Sequence, residues 1–171
     1  MSVAPMVILA GTSGTGKTTF LEKLIRELKK RHLRVGTIKH HDHDFEFDKP
    51  GKDTWRHAQA GADAVALSSP GKVALIRKVE EELPLDQVAA LLGNVDIILV
   101  EGYKRADKPK IEIHRTAHSR GLLCAPEELL ALVSDQEWEI GVPLFDLDDA
   151  AGVAELLIEK FTLSKLGTVT E

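Results

Sequence analysis

The sequence predicts an α/β fold built on a mostly parallel β-sheet flanked by helices, with a β-hairpin inserted. Three observations carry that expectation. A short apolar run, "MVILA" (6–10), enters a glycine loop, as a buried parallel strand does. Strand-like and helix-like apolar patterns then alternate along the chain. Between the first strand and the first helix, Gly11-Thr12-Ser13-Gly14-Thr15-Gly16-Lys17-Thr18 satisfies G-x-x-x-x-G-K-[ST] at every fixed position, which makes the class P-loop NTPase-like.

Each element has its own signal. Phe20, Leu21, Leu24, Ile25 and Leu28 recur at helical spacing, with Glu22, Lys23, Arg26, Lys29 and Lys30 opposite. "LRVGTIKH" (33–40) reads as the second strand, parallel to the first. Residues 40–52 are polar and end in Pro50-Gly51, so they read as a loop. Asp53 is placed to cap a short helix, "TWRHAQA", ended by Gly61. "ADAVALSS" and "KVALIRKV" flank Ser69-Pro70-Gly71-Lys72 as two strands joined by a turn. A helix over Leu85–Leu92 stops at Gly93, and "VDIILV" (95–100) is a buried strand. Further strands are expected at 110–114, 129–133 and 142–146, then a helix from about Asp149 to Phe161. The whole of 1–171 reads as a single nucleotide-binding domain, with a loosely ordered tail at 162–171.

The loop's chemistry follows from its residue types. Glycines let backbone N–H groups converge on phosphate oxygens, where a Cβ would block the curl. The helix that starts there adds roughly half a positive charge. Lys17 would reach the outer phosphates, and the Thr18 hydroxyl would ligate Mg²⁺. Thr19 continues the first helical turn beside them. Ligand sites lie beyond the carboxyl ends of parallel strands, which points to Glu101, just after "VDIILV", as a metal-side or water-orienting acid. Asp96, at the start of the same strand, falls at the far end of the sheet and reads as structural.

Three further stretches have open readings. Between His40 and Asp48 fall three of the seven histidines (His40, His41, His43) and four carboxylates. They suit a solvated loop better than a transition-metal site, although Asp44 or Asp48 could help hold Mg²⁺ if the loop orders over the phosphates. Asp48-Lys49-Pro50-Gly51 also matches the D-x-x-G pattern of GTPases, without a buried strand leading into it. "GYKRADKPKIEIHR" carries Lys104, Arg105, Lys108, Lys110 and Arg115, either a solvated basic loop or a second anion site. The N-K-x-D guanine signature is absent, Asn94 being the one asparagine. Ser134-Asp135 nevertheless ends a late strand, where a carboxylate reading guanine would sit or where an ordinary helix cap would. Such a carboxylate would give about 1.5–3 kcal/mol, a preference rather than absolute selection.

Bulk properties bound the partners. Charged residues at 29% and hydrophobic ones at 43% describe a soluble globular chain, and no apolar run approaches the roughly 20 residues of a membrane span. "MSVAPMVILA" lacks the basic start of a signal peptide and runs into the phosphate loop. The single cysteine, Cys124, excludes an internal disulfide and fits a reducing cytoplasm. Net charge is -5, yet Lys17–Lys39 holds eight basic residues against two acidic, and Glu127–Glu159 holds ten acidic and no Lys or Arg. That asymmetry argues against a nucleic-acid binder and fits two oppositely charged faces.

The phosphate loop, "VGTIKHHDHDFEFDKPGKDTWRHAQAGA" (35–62) and "ILVEGYKRADKPKIEIHR" (98–115) together resemble the molybdopterin-guanine dinucleotide biosynthesis protein B family, MobB, over most of residues 5–145. The resemblance implies a P-loop GTP-binding protein, a homodimer with weak GTPase activity. It also implies an accessory role for the guanylyltransferase that joins GMP to the molybdenum-molybdopterin cofactor, with that cofactor a possible further ligand. By position it places nucleotide on Gly11 to Thr19, Mg²⁺ near Thr18, Asp48 and Glu101, and guanine near Asp135. Related ATPases with paired-lysine phosphate loops have a lysine where this chain has Thr12. Two other classes remain open from the residues alone. One is a small-molecule kinase that binds its acceptor through "GYKRADKPK" and uses Glu101 or Asp48 as its catalytic base. The other is a docking protein whose phosphate loop only stabilises the fold.

Overall fold

The computed structural model describes residues 4–163. Its strands and helices are β1 (Met6–Ala10), α1 (Lys17–Lys30), β2 (Val35–Lys39), α2 (Asp53–Gln59), β3 (Ala64–Ser69), β4 (Lys72–Arg77), α3 (Leu85–Ala90), β5 (Ile97–Glu101), β6 (Lys110–His114), β7 (Leu129–Ser134), β8 (Leu144–Phe145) and α4 (Ala150–Phe161). The chain divides into two compact units, His41–Pro84 and the remainder.

In the larger unit six strands form one sheet in the order β2-β5-β1-β6-β7-β8, every neighbouring pair parallel. The apolar runs explain the arrangement, because both faces of the central strands are covered. Val7 and Leu9 of β1, with Ile97 and Leu99 of β5, pack under Leu24 and Leu28 of α1 and Val153 and Leu157 of α4. The alternate residues Met6, Ile8, Ile98 and Val100 face Leu85 and Ala89 of α3. Full burial of such side chains contributes about 1.5–3 kcal/mol each, so β1 and β5 set the sheet's centre and the position of whatever follows them.

The amino end of the sheet is locked by Asp96, as its expected structural role requires. Its Oδ2 accepts from the Arg34 backbone N–H at 2.6 Å, and its Oδ1 from the Arg34 guanidinium at 2.6 Å. Two other charges are buried inside the sheet. Glu112, 1% exposed, accepts from the N–H groups of Leu123 (2.8 Å) and Cys124 (2.9 Å). Lys110, 3% exposed, pairs with Glu128 at 2.6 Å.

The His41–Pro84 unit holds α2 and the two-stranded antiparallel β3–β4 ribbon. None of α2 is buried, and Leu67, Val73 and Leu75 of the ribbon are exposed.

Boundaries moved in physically readable ways. β5 starts two residues later than expected, because Asp96 is used against Arg34, and it ends on Glu101. Lys52 rather than Asp53 is the N-cap of α2. The last strand is reduced to Leu144–Phe145, an edge that follows Pro143. The tail expected at 162–171 lies, beyond Leu163, outside the described residues.

Candidate functional site

The phosphate loop leaves the carboxyl end of β1 and feeds α1. Gly11 has φ +145°, and a Cβ there would stand 2.5 Å from the Ile113 backbone oxygen of β6. Gly16, at φ +90°, is the N-cap of α1. Backbone packing at one end and left-handed geometry at the other therefore demand glycine. Within the curl, buried Thr15 donates its hydroxyl to the Thr12 carbonyl at 3.0 Å. The Lys17 ammonium donates to the carbonyls of Gly11 (2.9 Å) and Thr12 (2.7 Å). Burial lowers its pKa below the usual lysine value; Glu101 opposes that shift and Lys39 adds to it.

Ser13 and Gly14 form the exposed crest of the loop, and Thr18 and Thr19 are exposed in the first turn of α1. The β1–β5 register puts Glu101 beside Leu9, one residue short of the loop. Its Oε2 accepts from the Thr18 hydroxyl at 3.4 Å, and its Oε1 is 3.3 Å from the Lys39 ammonium. Two hard oxygen donors at the mouth of a phosphate cradle match what Mg²⁺ takes when it bridges protein and phosphate. Thr18 and Glu101 would hold the ion there.

On the other side of the loop lies the turn after β6. Thr12 donates its hydroxyl to the His118 carbonyl at 2.9 Å and shares a 3.0 Å hydrogen bond with the Ser119 hydroxyl. The His118 ring stands over Gly14, 3.2 Å from where a Cβ would be. Thr116 of the same turn donates both its backbone N–H and its hydroxyl to Asp135 Oδ1, each at 2.8 Å. Those bonds hold the Asp135 carboxyl below the usual carboxylate range. Asp135 is thus connected to the phosphate loop through residues 116–119. Behind it, buried Ser134 joins the His114 ring at 3.2 Å and accepts from the Trp138 indole at 3.2 Å.

The remaining sequence candidates make other contacts. Asp48 belongs to the His41–Pro84 unit, where its carboxylate accepts from the Lys49 N–H at 2.8 Å. No strand leads into Asp48-Lys49-Pro50-Gly51. His43 contacts Asp42 and meets the His41 ring edge-on, and no three metal-ligating side chains cluster among the described residues. Within the basic run, two of the five cations are engaged by carboxylates and Arg115 lies beside Gly16. Lys110 is consumed by Glu128, and Lys108 pairs with Asp86 at 2.9 Å. Lys39, Thr116, His118 and Ser119 were missed. Lys39 was within reach of the carboxyl-end rule that found Glu101, whereas the turn's contacts are made across 106 and 107 residues of sequence.

A family model described as "Molybdopterin guanine dinucleotide synthesis protein B" matches residues 6–135. The chain is 37% identical to the molybdopterin-guanine dinucleotide biosynthesis adapter protein of Haemophilus influenzae, covering 90% of this chain and 87% of the relative. It is 38% identical to the protein of the same name from Escherichia coli, covering 92% and 94%. Among solved structures, one titled molybdopterin-guanine biosynthesis protein B superposes with TM-score 0.71 at 30% identity, over 91% of this chain and 99% of that one. The Bacillus subtilis structure of that family superposes at 0.70 with 27% identity, over 92% and 98%.

Proposed function

The chain belongs to the MobB family, and on that premise we propose that it is an adapter in molybdopterin guanine dinucleotide biosynthesis that grips GTP·Mg²⁺ for a guanylyltransferase. The observation that carries the reading is the phosphate loop together with its acid. A glycine curl that a Cβ at Gly11 would break opens beside Thr18 and Glu101, at the carboxyl ends of β1 and β5.

In this reading the loop's N–H groups and Lys17 bind the phosphates, and Thr18 with Glu101 holds the cation. Mg²⁺, when bound, neutralises phosphate charge. Asp135, kept ionised by Thr116, accepts guanine N–H groups. Two of the four cations that a kinase would use for its acceptor, Lys108 and Lys110, are held in ion pairs, which favours the accessory role. P-loop GTPases acting without a partner turn over at roughly 10⁻⁴–10⁻² s⁻¹, and we expect that order for the isolated chain.

A homodimer is part of the proposal, supported by the apolar Leu67, Val73 and Leu75 left exposed on the two-stranded ribbon. Leu75→Glu should then shift sedimentation toward monomer. A cytoplasmic location is likewise proposed, on the free thiol of Cys124. Among the described residues, no helix is long and apolar enough to cross a membrane.

The test is molybdopterin guanine dinucleotide formation by the purified guanylyltransferase at limiting GTP. Wild-type chain should raise the yield and Lys17→Ala should not. Equal stimulation by both would favour a docking protein, no stimulation would contradict the adapter reading, and several turnovers per second by the chain alone would contradict an accessory role. Transfer of the γ-phosphate to a small metabolite would favour the kinase.

A further inference from the structure

Arg115 follows directly on β6, the strand paired with β1 on the side away from β5. Its Nη2 stands 3.8 Å from where a Cβ would project from Gly16, the N-cap of α1. Its Nε is buried and donates to no acceptor, and no other hydrogen bond from this guanidinium is present among the described residues. Buried donors are nearly always satisfied, so an orphan beside a phosphate loop calls for an acceptor the protein does not supply. The acid that feels its charge, Asp148, is 84% exposed and hydrogen-bonded to Lys23 instead.

The backbone around Arg115 is fixed. Its carbonyl accepts from the N–H groups of His118 (2.8 Å) and Ser119 (2.9 Å), closing a turn that Thr12 ties to the loop. A rigid turn thus presents a planar cation with forked donors at the N-terminus of α1, a combination suited to bidentate phosphate binding. We propose that Arg115 is a phosphate ligand, reaching over Gly16 to the phosphate chain of the bound nucleotide. The site then has two cations of separate origin, Lys17 from within the loop and Arg115 from β6. The inference rests on the nucleotide reading above.

The test is calorimetric titration of the full chain with GTP and GDP, alongside thermal unfolding without nucleotide. Arg115→Met should weaken both nucleotides about 10–100-fold, as loss of a charge-assisted bond does. Its nucleotide-free Tm should stay level or rise, because the substitution removes an unsatisfied buried donor. Arg115→Lys, which keeps the charge without the fork, should bind between wild type and the Met variant. If Arg115→Met fails to fold, wild-type affinity in Arg115→Lys overturns the proposal. So does a folded Met variant with wild-type affinity, or one whose Tm falls while affinity holds, which would mark a structural role. Wild-type chain that binds neither nucleotide would remove the nucleotide reading itself and the inference with it.

Discussion

Replacing Gly11 with alanine probes the join between the phosphate loop and the sheet. The new Cβ would lie 2.5 Å from the Ile113 carbonyl oxygen and 3.0 Å from the Thr15 hydroxyl, where ordinary contact begins at 3.4 Å. The near neighbour is backbone held in register between β1 and β7, so it cannot rotate away. Two costs combine. A left-handed conformation costs an L-residue about 1–2 kcal/mol. Overpacking against a fixed neighbour costs about 1–3 kcal/mol more. Gly93→Ala carries a backbone cost without the clash, since Gly93 has φ +68°, nearer the range L-residues can adopt than the +145° of Gly11, and nothing within 4 Å of its Cβ position. For a chain of this size 1 kcal/mol shifts Tm by about 2–4 °C, so Gly11→Ala should melt about 2–12 °C below Gly93→Ala. Paired thermal unfolding of the two variants reads this difference. Calorimetry on the same samples should show lost GTP affinity for Gly11→Ala only. Equal melting temperatures, or intact GTP binding in Gly11→Ala, would refute the packing argument.

Three other perturbations follow from the same structure. Glu101→Gln should cut the Mg²⁺-dependent gain in GTP affinity by about 10–100-fold while leaving Mg²⁺-free binding level or tighter, because it removes a negative charge near the phosphates. An unchanged Mg²⁺ response would remove Glu101 from the metal site, and the same titration of Asp48→Asn decides whether that loop carboxylate has any part in it. The Arg34 guanidinium beside Asp96 holds its carboxyl below the ordinary 3.8, so the pair stabilises the fold above that pH and its contribution is lost as pH falls through the depressed value. Urea unfolding of Asp96→Asn should show a deficit of about 1 kcal/mol at pH 7 that narrows in acid; a constant deficit would mean the charge is not used. Burial pushes the Cys124 thiol up to about 12, so iodoacetamide near pH 8 should label native chain about 10³-fold more slowly than denatured chain, and equal rates would contradict the burial.

Much of the site was readable before folding because its determinants are local. The phosphate loop lies within eight consecutive residues, and a strand's carboxyl end marks where Glu101 belongs. The sheet was readable for a similar reason, since apolar runs such as "MVILA" and "IILV" are buried on both faces. What escaped depends on strand order, which no local pattern encodes. Placing β6 beside β1 brings the turn at 115–119 against Thr12 and converts Arg115 from one more basic residue into a neighbour of Gly16. Pairing β6 with β7 likewise commits Asp135 to Thr116. The basic run stayed ambiguous because sequence shows charge and hides depth. Lys110 looks like Lys104 on the page, yet it is buried against Glu128.

The central claim is that this loop grips GTP with Mg²⁺ rather than serving only as a structural turn. Calorimetric titration of the wild-type chain with GTP and ATP, each with and without Mg²⁺, tests it most directly. The account predicts Mg²⁺-enhanced binding, with GTP preferred about 10–100-fold through the Asp135 carboxylate. Equal affinities would remove Asp135 from its proposed role, and absence of binding to either nucleotide would contradict the claim outright.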